Sequence, residues 1–218
     1  MTTMKTKPVD SIIFDMDGTL WDAVDSYCAI WNETYRRIGH PELTAGRQQL
    51  LECMGLPIEE IARRLLPEEV DVHQFYSTLR QVDDELMPRL GGKLYPGVSD
   101  LMPMLAGRLP LFMVSNCGAN GLVYFLDYTG LKPYITDTRT HGGTGLDKEH
   151  NIAALMKEHG LQRPLYVGDT EGDCRSSHAA GVEMLHVTYG FGQAPDADFS
   201  ASTFAEATDI INRLSEPN

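Results

Sequence analysis

The chain has 218 residues, enough for one sizeable domain or a core with a smaller insert, and its 42% hydrophobic and 22% charged residues are an ordinary globular balance. A formal charge of −13 argues against nucleic acid or an anionic membrane as partner, because both attract basic surfaces. Four scattered cysteines without a CxxC pair, no apolar core between Met1 and Asp10, and no apolar run near the roughly 20 residues of a membrane span point away from a zinc cluster, a disulfide framework, a leader and a transmembrane helix, and towards free buried thiols in the cytoplasm.

The first element in chain order is the apolar run Ile12-Ile13-Phe14, read as a short buried strand. It ends in Asp15-Met16-Asp17-Gly18-Thr19. Two carboxylates one residue apart repel unless a cation or a proton sits between them, so the pattern is costly in a purely structural role. It suits a hard divalent cation with oxygen ligands, and a carboxylate beside such a cation can attack phosphorus. An Asp-Gly turn with a threonine cap is the plain alternative.

From Trp21 to about Arg37, apolar residues recur at three- and four-residue spacing, which predicts an amphipathic helix. Further helices are expected over 45–53, 58–65 and 70–86, and no strand is expected between Leu20 and Leu90. Gly91-Gly92 and Tyr95-Pro96-Gly97 mark a boundary. Beyond it the pattern alternates: helix 98–106, strand 111–114, helix 120–128, short strand 134–136, helix 148–159, strand 165–167, helix 171–180, strand 184–187 and helix 204–214. This order predicts an α/β fold, a doubly wound parallel sheet, with an all-helical cap inserted after its first strand. The core is expected over 1–19 and 92–218 and the cap over 20–91.

In open α/β sheets the site lies beyond the carboxyl ends of the strands. Three predicted strands end in polar groups there: Asp15 and Asp17 after the first, Ser115-Asn116 after the run 111–114, and Gly168-Asp169-Thr170-Glu171-Gly172-Asp173 after the run 165–167. Ser115 and the amides that follow it can hold phosphate oxygens, although a Ser-Asn turn explains the serine equally well. Asp169 can hold a metal, with Asp173 behind it; helix capping accounts for one of these aspartates. Lys148 opens a helix, where a cation is electrostatically misplaced unless it serves an anion. The preceding glycines, Gly142, Gly143 and Gly145, fit no phosphate-binding motif and are read as a mobile loop.

Asp15-x-Asp17-Gly18-Thr19, Ser115, Lys148 and Gly168-Asp169-x-x-x-Asp173 resemble, in order and spacing, the four motifs of the haloacid dehalogenase-like superfamily, and the helical insert resembles its first type of cap. Glu149 follows the lysine where many relatives have proline, so Lys132 and Lys157 are alternatives for the third motif. The resemblance implies a magnesium-dependent (Mg2+) phosphatase of the phosphoglycolate phosphatase-like branch, acting on a small phosphorylated metabolite. It makes Asp15 the nucleophile, Asp17 the general acid and base, and Asp15, Asp17 and Asp169 the metal ligands, with Asp173 in support. Ser115, Asn116 and Lys148 would bind the phosphoryl group. Asp17 counts against a dehalogenase, which lacks it. The absence of any lysine from Leu20 through Gly92 counts against a phosphonatase and ranks a β-phosphoglucomutase-type mutase second. A silent binding protein on this fold is the other alternative. In the cap, Arg47 is read as a solvated residue before an anion contact, and Trp21 and Trp31 as cap core.

Overall fold

A computed structural model describes residues 7–217; residues 1–6, on which most of the expectation of no leader falls, and residue 218 lie outside it. β1 (Ser11–Phe14) is one of the two central strands of the main sheet, and the chain then makes β2 (Trp21–Asp22) and four helices, α1 (Val24–Arg37), α2 (Arg47–Leu51), α3 (Ile58–Leu65) and α4 (Val72–Leu90). It returns through β3 (Lys93–Leu94) and continues with α5 (Val98–Ala106), β4 (Leu111–Ser115), α6 (Gly121–Thr129), a 3-10 turn (Lys132–Tyr134) and β5 (Asp137–Thr140). The remainder is α7 (His141–Thr144), α8 (Lys148–His159), β6 (Pro164–Gly168), α9 (Glu171–Ala179), β7 (Glu183–Val187), β8 (Phe199–Ala201) and α10 (Phe204–Ser215). The six-stranded sheet has the order β5-β4-β1-β6-β7-β8, parallel throughout. β2 and β3 form a separate antiparallel pair through which the chain leaves and re-enters the α/β part.

Period-two alternation explains why helices cover both faces. Ile13, Phe112, Val114, Tyr166 and Met184 face one way, against Ile152 and Leu155 of α8 and Cys174 of α9. Ile12, Phe14, Met113, Val167 and Leu185 face the other way, against Val98 and Met102 of α5, Phe125 of α6 and Phe204 and Ile211 of α10. The helices between β2 and β3 close on their own apolar faces: Trp31 lies 4.9 Å from Phe75 and 6.1 Å from Tyr35 between ring centroids. All four cysteines are free thiols, two buried and two half-buried. Among the described residues no helix is long and apolar enough to cross a membrane.

Several expectations change. The strand at 134–136 is replaced by the 3-10 turn followed by β5, whose half-buried sequence Asp-Thr-Arg-Thr has no apolar run to announce a sheet-edge strand. The helix expected from Trp21 starts at Val24, because Trp21 belongs to β2 and packs on Phe125 (4.9 Å) and Tyr128 (6.5 Å) of α6; it is buried, but not in the cap interior. Thus a short strand does occur between Leu20 and Leu90. The glycines read as a mobile loop form α7, capped by Thr140, whose hydroxyl accepts from Gly143 N. A Cβ at Gly142 would sit 2.6 Å from Ala119 N, so that glycine permits a close approach of two backbones.

Candidate active site

β1 lies between β4 and β6, with Phe14 level with Met113 on one side and Val167 on the other. The residues just past these strand ends therefore meet in space. Asp15 follows β1, Ser115 closes β4 and Asp169 follows β6; they are 3%, 4% and 0% exposed. The burial decides their chemistry, because a charge removed from water must find a partner or a proton.

Lys148 supplies the positive partner. Its ammonium reaches in from the first turn of α8, 2.8 Å from Asp15 Oδ1 and 2.5 Å from Asp173 Oδ1. Among the lysines weighed for this place, Lys132 pairs with Asp127 at the surface and Lys157 is exposed on the last turn of α8. Asp173 is held from the other side by Thr170, through the main-chain N–H (3.0 Å) and hydroxyl (2.7 Å). Burial alone would raise both acids. In Asp173 the ammonium and the Thr170 bonds overcome it and hold the carboxyl below its ordinary value. In Asp15 burial prevails over Lys148, and the carboxyl is pushed up to about 6. Lys148 itself is desolvated, yet the charges of Asp15 and Asp173 push its ammonium well above the usual lysine range.

Asp169 has no cation within this arrangement. Phe191 N–H donates to its Oδ2 at 2.7 Å and Thr19 Oγ1 to its Oδ1 at a long 3.4 Å. Burial, then the charges of Asp173 and Asp15, push it well above the normal carboxylate range. Oxygens of Asp15, Asp169 and Asp173 all lie within 4.8 Å of one another. Three buried carboxylates share one ammonium, and a divalent cation would remove that imbalance. Asp173 is already committed to Lys148 and Thr170, which leaves Asp15 and Asp169 as the side chains facing such an ion. Gly18 (φ +82°) makes the approach possible: a Cβ there would lie 2.2 Å from Asp169 Oδ2.

The Asp17 carboxyl is not part of this three-carboxylate cluster. Trp21 Nε1 donates to its Oδ1 at 3.0 Å, and the Tyr27 hydroxyl lies 3.1 Å from both oxygens. Burial and the Asp15 charge raise its carboxyl to about 7 against these two donors. Neither Trp21 nor Tyr27 was singled out from sequence for this contact; both were assigned to an apolar helix face. Ser115 Oγ accepts from Cys117 N at 3.2 Å. The Asn116 side-chain amide donates to Gly55 O at 2.8 Å, joining the strand end to the loop after α2. Arg47 pairs with Asp22 and with Asp25 (2.9 Å), so acids of its own chain already occupy it.

The raised acids make stability pH-dependent. A carboxyl whose folded value lies above its unfolded one binds its proton more tightly in the native state, so it favours folding below the unfolded value and loses that advantage as pH rises through the folded one. For Asp15 and Asp17 this window spans roughly pH 4 to 7. In buffer free of divalent cations, the midpoint of thermal unfolding is expected to rise by a few degrees from pH 8 to pH 5.5, which calorimetry would measure. A midpoint that falls over this range would contradict the assigned burial.

Comparison with known proteins agrees with the architecture. The haloacid dehalogenase-like hydrolase family matches residues 12–187. The chain is 26% identical over 227 residues to the phosphoglycolate phosphatase of Vibrio vulnificus (strain YJ016), covering 95% of this chain and 98% of that one. It is 28% identical over 187 residues to the phosphoglycolate phosphatase of Synechococcus elongatus, covering 84% and 85%. A haloacid dehalogenase-like family hydrolase from Streptococcus pneumoniae superposes with a TM-score of 0.82 at 20% identity, over 93% of this chain and 98% of that one. With a match that takes in every strand from β1 to β7, the chain belongs to the haloacid dehalogenase-like hydrolase family.

Proposed function

We propose that this protein is a magnesium-dependent phosphatase that hydrolyses a small phosphate monoester through an aspartyl-phosphate. The observation that carries the reading is the buried set of Asp15, Asp169 and Asp173 around a single ammonium, with Asp17 held apart by its own donors. In this reading an Asp15 oxygen attacks phosphorus, the bond from phosphorus to the ester oxygen breaks, and Asp17 gives its proton to the departing alkoxide. Water then attacks the phosphoryl group on Asp15, passing its proton to Asp17, and phosphate and free Asp15 result. A carboxyl raised to about 7 is suited to both proton transfers, because it exchanges its proton near neutral pH. Lys148 and Ser115 offset and orient the phosphoryl oxygens. Magnesium, held by Asp15, Asp169 and the main-chain carbonyl of Asp17, would supply further neutralisation of the transferring group.

A core of 1–19 and 92–218 with a cap of 20–91 belongs to the same reading, as does a cytoplasmic location, for which the four free thiols suit a reducing compartment. The cap contains no lysine to hold a sugar phosphate, which favours hydrolysis over mutase chemistry. The decisive experiment is phosphate release from p-nitrophenyl phosphate with magnesium and then with EDTA. Release that EDTA abolishes supports the proposal, and metal-independent release or none at all defeats it.

Tyr27 reaches Asp17 from α1, so the acid–base group is oriented from the cap side. Removing one hydrogen bond to an ionisable group of this kind is expected to cost about tenfold in kcat. Steady-state kinetics of Tyr27→Phe should therefore show the loss in kcat with little change in KM. An unchanged kcat would mean that Trp21 alone orients the carboxyl.

A further inference from the structure

A cavity of about 430 Å³ opens from Asp15 and Asp17 into the space beneath α1, α3 and α4. It is the volume that the alcohol portion of an ester would fill, and its chemistry is unlike that needed for an acidic alcohol. Its walls are aromatic and aliphatic, with Tyr27, Trp31 and Tyr76 among them. The charges facing it are mainly negative. Asp83, on α4, is half-buried in this wall, and the influences on its carboxyl are burial and the neighbouring Asp84, with no hydrogen bond or cation among the described residues to offset them. Asp84 is engaged through Oδ1, which accepts from Asn120 and from the Tyr124 hydroxyl. Asp83 is not. The Tyr27 hydroxyl and the Cys117 thiol both feel the charges of Asp17 and of Asp83, so the two carboxylates act on one space, one at the reacting end and one in the cap wall. Among the described residues that line this cavity the one basic side chain, Arg80, is exposed, and so is Glu59.

We propose that the alcohol carried by the preferred substrate is cationic: a phosphate ester of an amino alcohol, whose ammonium sits between the aromatic wall and Asp83 while its phosphate meets Asp15. The inference rests on the phosphatase reading and narrows its substrate class. An ammonium gains from aromatic faces and from a carboxylate in a water-poor cavity. A carboxylate-bearing alcohol such as glycolate would set like charge against Asp83, with no buried basic side chain among the described residues of the cavity wall to answer it. The substrate named for the relatives thus fits this cavity poorly.

The test compares kcat/KM for phosphocholine, 2-phosphoglycolate and p-nitrophenyl phosphate in the magnesium-loaded protein. Phosphocholine is expected to exceed phosphoglycolate by at least about tenfold. In Asp83→Asn the ratio of phosphocholine to p-nitrophenyl phosphate should fall about tenfold, mostly through KM, and Asp83→Lys should turn the preference towards phosphoglycolate. Turnover of p-nitrophenyl phosphate with phosphoglycolate ahead of phosphocholine would overturn the inference while leaving the phosphatase reading standing. An unchanged ratio in both variants would overturn it too. If no ester is turned over, the phosphatase reading fails by itself. Calorimetric titration of Asp15→Asn with choline then still decides the cationic site: binding weakened by Asp83→Asn supports it, and no binding overturns it.

Discussion

Asparagine in place of Asp15 is expected to lower turnover of a phosphate ester by at least about 10⁴-fold while the protein stays folded. The amide has the size of the carboxylate and keeps an oxygen that can accept from Lys148 Nζ, now 2.8 Å from Oδ1. It lacks the nucleophilic lone pair and the charge. Stability should not suffer, because burial raises the Asp15 carboxyl to about 6 and a neutral group at that depth no longer resists desolvation. Single-turnover kinetics with p-nitrophenyl phosphate, together with thermal unfolding in metal-free buffer, separate the two effects. More than about 1% residual turnover would remove Asp15 from the role of nucleophile.

Lys148→Met should show the opposite balance, with a large loss of stability as well as activity. The ammonium is 4% exposed and pairs with two acids that are 5% and 1% exposed. Removing one side of a buried ion pair leaves uncompensated charge, at a cost of about 3–5 kcal/mol. Methionine keeps the length and fills the volume, so the loss reports charge more than cavity. Lys148 has its folded value raised, so its contribution is complete below the unfolded lysine value and is fully present at pH 7. The deficit in the variant should shrink as pH falls towards 4, where the orphaned carboxyls take protons, and magnesium should restore part of it at neutral pH. On the proposed mechanism, in which Lys148 offsets the phosphoryl charge, catalysis should fall about 10²–10³-fold. An unfolding midpoint equal to that of the unmodified protein at pH 7 would show that the ion pairs contribute nothing.

The parts of the molecule that were legible in the sequence share a property: their signal is local. Ile12-Ile13-Phe14, Leu111–Val114 and Leu165–Val167 are short apolar runs flanked by polar turns, and each is buried in the sheet. Asp15, Ser115 and Asp169 follow such runs directly, so their convergence is implied by parallel pairing and the carboxyl-end rule. The helices with clean apolar spacing, such as Lys148–His159, lie where expected. β5 and β8 were missed because edge strands can be polar on half their positions, and their pairing energy comes from a neighbour distant in sequence. The run 142–145 reads as loose because glycine-rich sequence favours freedom, but close approach to residues 118 and 119 holds it.

The amino-acid order by itself determined the elements whose hydrophobic period is strong, the parallel α/β class, and the four polar strand-end and helix-start motifs, because these depend on neighbours a few residues apart. Only the tertiary structure decided which charges pair and which stay single. Lys148 lies 133 residues from Asp15 and 25 from Asp173, and no periodicity encodes those distances. The same holds for Tyr27 and Trp21 on Asp17, for Asn116 on the main chain of Gly55, and for Asp83, which faces the cavity without a partner among the described residues. Such contacts are set by how the helical insert closes on the sheet, and their energies depend on burial, which exists only once both layers are packed.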